Sequence, residues 1–240
     1  MKGFIYFSMG DGKIFYVDSK QEEFKPIQIV PQPHCHPITC FSYNKSQDVF
    51  VSCDEDGIVF VWKFNSGKTE CINEISLKNS GGGVPSLLYF IDGQFFVVAK
   101  EKQESKIFKI SNYLSLNSVV VDLFFSCQGS INSICLNSKN FWISVDSQIQ
   151  IFNSAVPLNQ ISSIASPHRD SRVVSILDHK DIIFSFGEDG SIRIWNPKSF
   201  ESLKIIERHD DKIIFATSYK DHIHSISKSG EIIKWYFQFD

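Results

Sequence analysis

Three side chains of the 240-residue sequence have the types needed for acyl transfer: His168, Ser185 and Asp189. A serine hydroxyl, an imidazole to take its proton and a carboxylate to orient the imidazole make a hydrolytic triad. A working triad also needs an exposed nucleophile and an oxyanion hole. No Gly-x-Ser-x-Gly elbow, which would lift a serine clear of a sheet, occurs in the chain. His34, Cys35, His36 and Cys40 form a cluster of zinc-ligand types. Their spacing matches none of the common zinc signatures, so no metal is expected. The run Asn79-Ser80-Gly81-Gly82-Gly83 would suit a phosphate only if it opened a helix. Strand-like residues 84–90 follow it, so it reads as a plain connection, and no cofactor is expected.

The elements around Ser185 are short and extended. Residues 182–186 and 192–195 are β-rich runs, separated by Gly187-Glu188-Asp189-Gly190. Asp-Gly between alternating apolar residues is a strong hairpin signal. Another apolar run, residues 173–177, precedes them, with Pro167-His168 upstream. The turn glycine and the apolar residue five positions later recur along the chain. Gly12 leads to Val17, Gly57 to Trp62, Gly190 to Trp195 and Gly230 to Trp235. Two degenerate copies lead to Ile110 and Phe152. The anchors Val17, Trp62, Ile110, Phe152, Trp195 and Trp235 are spaced by 45, 48, 42, 43 and 40 residues. No segment holds an apolar period of 3.6 residues over a helix-length window, so the chain reads as all-β.

A histidine, a strand, a strand ending in Ser, an Asp-Gly turn and a strand ending in Trp resemble one repeat of the WD40 family, whose period is about 40–45 residues. The resemblance runs from Gly12 to Trp235 and implies an all-β, WD40-type β-propeller of about six four-stranded blades, with residues 1–240 as one domain. It also implies that the triad residues are structural. In such repeats His, Ser, Asp and Trp share a buried hydrogen-bond network. Here the set is His168, Ser185, Asp189 and Trp195, and a second set is His34, Ser52, Asp56 and Trp62. The last repeat keeps His209, Ser225 and Trp235 but has Ser229 where Asp is expected. The first, third and fourth repeats lack the network and should be held by apolar packing alone.

Counted strand by strand, the first repeat has no inner strand and the last no clear outer one. That leaves 22 or 23 strands against 24 for six full blades. An open or incomplete seam at the termini follows, and its free edges invite pairing. Either a protein partner donates a strand there, or the sequence is a piece of a longer propeller. Residues 24–30 read as an outer strand because Pro26 suits an edge, and residues 31–37 as a loop. Residues 100–104 read as an enlarged, charged connection.

In a meander of this kind the loops entering each repeat and the turns between its second and third strands emerge on one face. That face should carry Asp54, Glu55, Arg169, Asp170, Arg172, Glu188, Asp210, Asp211 and residues 100–104. Arg169 and Arg172 are the candidate partner contacts, because arginine is enriched in interface hot spots.

Composition narrows the function classes. With 42% hydrophobic and 21% charged residues a sizeable core is available and disorder is not expected. A net charge of −3 without a basic stripe argues against direct nucleic-acid binding. No apolar run reaches membrane-span length and no signal peptide is visible, so a cytoplasmic protein is expected, with the nucleus as alternative. Cys35, Cys40, Cys53, Cys71, Cys127 and Cys135 include no Cys-x-x-Cys pair and read as reduced thiols. The expected function is a non-catalytic scaffold that binds protein or peptide partners on the propeller face. The alternative is a recognition domain split from a larger enzyme, a kinase or ubiquitin-ligase subunit. A propeller enzyme would need carboxylates or histidines on the inner strands, and residues 86–90 and 131–136 carry none.

Overall fold

A computed structural model of the chain describes residues 4–18, 25–29, 34–65, 68–91, 93–115, 118–137, 139–154 and 158–237. It is all-β, built of six small antiparallel sheets, the blades of a propeller fold. Two compact units divide them, Met1–Gln128 and Gly129–Asp240.

The first unit has three sheets. One is β1 (Phe4–Ser8), β2 (Ile14–Asp18) and β3 (Ile27–Gln28). The next is β4 (Ile38–Asn44), β5 (Val49–Asp54), β6 (Ile58–Asn65) and β7 (Lys68–Ser76). The third is β8 (Val84–Ile91), β9 (Gln94–Glu101), β10 (Glu104–Ser111) and β11 (Val120–Gln128). The second unit begins with β12 (Ile131–Asn137), β13 (Asn140–Val145), β14 (Gln148–Asn153) and β15 (Gln160–Ile164). Then come β16 (Val173–His179), β17 (Ile182–Gly187), β18 (Ser191–Trp195) and β19 (Ser202–Glu207). The last sheet is β20 (Ile213–Tyr219), β21 (His222–Ser227) and β22 (Ile232–Tyr236). Each sheet is a plain meander, so its pairing is set by local turns.

These turns follow from residue type. Gly12, Gly57, Gly190 and Gly230 have φ of 81°, 78°, 77° and 88°, the left-handed region that glycine enters without steric cost. At residues 100–104 the expected enlarged connection is absent. β9 and β10 pair out to Glu101 and Glu104, and Lys102 takes φ of 55° in a two-residue turn. Of the expected outer strand at residues 24–30, Ile27–Gln28 pair with β2; Phe24, Val30 and residues 31–33 lie outside the described residues. The run at residues 79–83 carries a short 3-10 turn, Lys78–Ser80, and leads into β8.

Alternation along each strand gives every sheet two faces, and neighbouring sheets of a unit share a core. The Trp-bearing face of β5 and β6, with Phe50, Phe60 and Trp62, packs on Ile14 and Ile29 of the preceding segment. The opposite face, Val51, Cys53, Val59 and Val61, packs on Phe95, Val97, Phe108 and Ile110. In the second unit Trp142, Ile149 and Ile151 meet Ile183 and Trp195. Phe184, Phe186, Ile192 and Ile194 meet Ile213, Ala216 and Ile223.

Candidate functional site

The triad-like residues lie inside the blades. His168 enters just before β16, from a loop in which Arg169 and Asp170 take φ of 50° and 61°. Its Nδ1 lies 3.0 Å from Asp189 Oδ1 and its Nε2 2.8 Å from Ser185 Oγ. Trp195 Nε1 donates to that same oxygen at 2.9 Å. One proton order satisfies all four groups: indole N–H to serine oxygen, serine O–H to imidazole Nε2, imidazole Nδ1–H to carboxylate. Ser185 is 0% exposed and its hydroxyl is committed in both directions. A substrate carbonyl has no approach to it, so the set holds the hairpin and the entering loop together.

The acid is placed differently in the other two networks. His34 Nε2 meets Ser52 Oγ at 2.6 Å, and Trp62 Nε1 donates to that oxygen at 2.9 Å. The carboxylate on His34 Nδ1 is Asp54 at 2.8 Å, in place of the expected Asp56. In the last sheet His209 Nε2 meets Ser225 Oγ at 2.6 Å and Trp235 Nε1 donates there at 2.7 Å. Its Nδ1 partner is Glu231 Oε2 at 2.7 Å, which fills the place that Ser229 leaves without an acid. The acid therefore stands two, four or six residues after the serine.

Strand geometry explains the choice. Asp54, Gly187 and Ser227 occupy the same position, two residues after the serine and on its side of the sheet. Asp54 reaches the imidazole directly, while its Oδ1 accepts Asp56 and Ile58 N–H at 3.0 Å each. Gly187 has no side chain to offer, and a Cβ there would stand 2.4 Å from His168 Cγ. The acid then comes from the turn, Asp189. Ser227 Oγ bonds Ser229 Oγ at 2.8 Å and accepts Glu231 N–H at 3.2 Å, and Glu231 reaches back to the ring. Asp56 turns outward to Lys78 at 3.1 Å and His36 at 3.3 Å.

Charge follows environment. Burial alone would raise the Asp189 carboxyl, but His168 and Ser191 outweigh it and hold it at about 2. Burial pulls the His34 imidazole below its ordinary value, against the opposing pull of Asp54. The Asp56 carboxyl is lowered mainly by its hydrogen bond with Lys78.

Over each network lie the loop that enters the blade and the turn between its second and third strands. Within a blade they are tied by backbone bonds: Glu55 N to Pro37 O at 3.0 Å, Glu188 N to Arg172 O at 2.9 Å and Lys228 N to Lys212 O at 2.7 Å. Between blades of one unit the turn glycine admits the next loop. A Cβ on Gly190 would stand 2.7 Å from His209 O, and one on Gly12 2.6 Å from His34 O. In the second unit Arg169, Asp170, Arg172 and Asp210 are exposed and Asp211 is half-buried, and in the first unit Glu55 is exposed on its own turn. Asp54 is not part of the rim of its blade, being 2% exposed beneath His34. Both candidate arginines have partners: Arg169 pairs with Glu207, and Arg172 Nε donates to Asn132 at 2.8 Å. Lys212 bridges to Glu188 at 3.0 Å.

The zinc-type cluster is divided. His34 is engaged in its network, His36 faces Asp56, and Cys40 pairs in register with Cys53 on β5. Among the described residues no group of three or more His, Cys, Asp or Glu side chains is set to hold a metal ion. Nor is any helix there long and apolar enough to cross a membrane. The sequence reading missed Asp54 and Glu231 as network acids. Aligning the hairpins on Ser52, Ser185 and Ser225 would have shown that Asp54 falls where Gly187 and Ser227 carry no acid.

Residues 24–63 and 159–196 match the family model described as WD domain, G-beta repeat. A stretch of 75 residues is 28% identical to Telomerase protein component 1 of Rattus norvegicus and of Mus musculus, covering 31% of this chain. The matched part is 3% of those relatives' length. Over 99% of its length the chain superposes on the computationally designed Ika8 protein, with a TM-score of 0.69, 16% identity and 69% of that chain covered. A chain of the Mitotic Checkpoint Complex superposes with a TM-score of 0.72 at 14% identity, over 98% of this chain and 71% of that one. At these identities the likeness to the solved structures is one of fold.

Proposed function

Because the chain carries WD40 repeats on propeller blades, which in general serve as platforms for protein interaction, we propose that residues 1–240 act as one propeller domain and a non-catalytic scaffold for protein partners. The observation that carries this reading is the division of labour at the histidines. The residue types of a nucleophilic site are sealed beneath the rim, while Arg169 and Arg172 stand exposed on loops tied down by backbone bonds. Each guanidinium is already held, Arg169 by Glu207 and Arg172 by Asn132, so it loses little freedom on binding and offers its remaining N–H groups to a partner carboxylate. Asp170, Asp210 and Asp211 give the same unit a mixed-charge surface beside them. The compartment in keeping with this role is the cytoplasm.

A second contact surface is favoured by the sheet edges. The first and last sheets each hold three strands, and among the described residues the outer edge of β22 pairs with nothing. A partner strand can add there through its backbone. The 3% share of the telomerase components matched here supports the alternative setting, in which such repeats are a small recognition part of a larger chain. The test is quantitative affinity capture with wild type and an Arg169→Ala/Arg172→Ala variant. The variant should melt like wild type and recover at least one partner poorly. Unchanged capture of every partner would remove the rim from the function.

A further inference from the structure

The outward face of the last sheet departs from the pattern of the second and fifth sheets. Register pairs the residue before the network serine with the residue before the Trp anchor. In the second sheet that pair is Val51 and Val61, and in the fifth Phe184 and Ile194. Both pairs are buried against the following sheet of their unit. In the last sheet the pair is His224 and Lys234. Thr217 stands opposite His224, where the fifth sheet has Leu177 opposite Phe184. Apolar blade core is thus replaced by a cationic, hydrogen-bonding row.

The next row has the same character. Tyr219, His222 and Tyr236 lie side by side across β20, β21 and β22. The His222 and His224 rings approach edge to face at 4.8 Å, and Lys220 and Lys234 sit 5.2 and 5.0 Å from the Tyr219 and Tyr236 ring centres. Among the described residues the acid that acts on His222 is Asp221, against Lys234, His224 and Lys220. Desolvation, with the fields of Lys234, His224 and Lys220, lowers the His222 pKa, as a locally positive face should. Across the other end run Phe215, Ile226 and Ile232. The face is open: Tyr236 is 67% and Ile232 65% exposed. This occurs in a chain of net charge −3, where a basic face is not a by-product of composition.

We propose that this face, with the outer edge of β22, which pairs with nothing among the described residues, is a docking site for an extended acidic segment of a protein partner. The segment adds as a strand to β22, so that the alternate side chains on this face stand beside Ile232, Lys234 and Tyr236; the acidic one pairs with Lys234, with His224, His222 and Lys220 on the strands and turn behind it adding to the positive field. Strand addition supplies affinity through the backbone, and the basic rows select the charge. The proposal rests on reading the chain as a protein-binding scaffold, but it uses a surface separate from the Arg169–Arg172 rim.

The test is titration of the whole chain with two labelled probes, a short peptide alternating Glu and Val and its Lys and Val counterpart, followed by fluorescence anisotropy. The Glu peptide should bind at least about tenfold tighter than the Lys peptide at low salt and lose that margin at about 1 M salt. A His224→Glu/Lys234→Glu variant should reverse the preference, and a His224→Ser/Lys234→Ser variant should lose it. Both variants should melt with wild type. Arg169→Ala/Arg172→Ala should bind the Glu peptide unchanged, so failure of the rim reading and failure of this one are separable. Equal affinity for the two peptides, or loss only in the arginine variant, would overturn the proposal. So would a dimer of the chain that His224→Glu/Lys234→Glu dissolves, because the occupant would then be a second copy.

Discussion

Asp54 and Asp56 stand two residues apart, and only one of them should matter to stability. Asp54 accepts hydrogen bonds from His34 Nδ1 at 2.8 Å and from Asp56 and Ile58 N–H at 3.0 Å. Asp54→Ala strands a buried imidazole and frees the turn. A hydrogen bond to a charged group contributes about 1.5–3 kcal/mol, and bonds converging on one carboxylate do not add in full. We take about 3 kcal/mol for Asp54→Ala, since the turn can recover water for its two N–H groups. For a chain of this size that is a fall in Tm of about 6–12 °C. Asp56→Ala removes only exposed contacts with Lys78 and His36, and its melting curve should overlay wild type. Urea titration followed by tryptophan fluorescence reads the difference, because Trp62 is buried and tied to Ser52. Equal losses for the two variants, or a larger one for Asp56→Ala, would refute the assignment of the acid.

Trp195→Ala should cost about 3–5 kcal/mol in denaturant titration, the usual price of deleting a large buried aromatic; a loss below about 1 kcal/mol would place Trp195 outside the core. Gly187→Ala should lose about 1–3 kcal/mol as an overpacked site, because its Cβ would stand 2.4 Å from the His168 ring, and calorimetry checks it. Acid should weaken the fold in two stages. His34 has a folded pKa below its ordinary 6.5, so its contribution is present above 6.5 and fades as pH falls from there. Asp189 has a folded pKa of about 2 against an ordinary 3.8, so its contribution holds above 3.8 and is lost as pH falls toward 2. Urea midpoints taken against pH should show both declines, and Asp189→Asn should erase the lower one.

The architecture was legible because it is written in local terms. Gly57, Gly190 and Gly230 mark turns that need a left-handed residue, and Trp62, Trp195 and Trp235 stand five positions later at the same place in each repeat. Alternating apolar residues around the Asp-Gly turns marked the hairpins. From that spacing, and from the resemblance to WD40 repeats that it carries, came six blades, the shortened first and last sheets and the structural character of His168, Ser185 and Asp189. Which carboxylate meets each imidazole was decided in three dimensions. Asp54, Asp189 and Glu231 are equivalent in role but not in position, because the reach of each depends on what stands two residues after the serine. Periodicity cannot report a distance between His34 and a side chain twenty residues on. Nor could it show that Lys102 turns tightly without glycine, or that His224 and Lys234 occupy the pair that is apolar core in the second and fifth sheets. Those outcomes depend on which strand lies opposite and at what register, and only the folded chain brings the partners together.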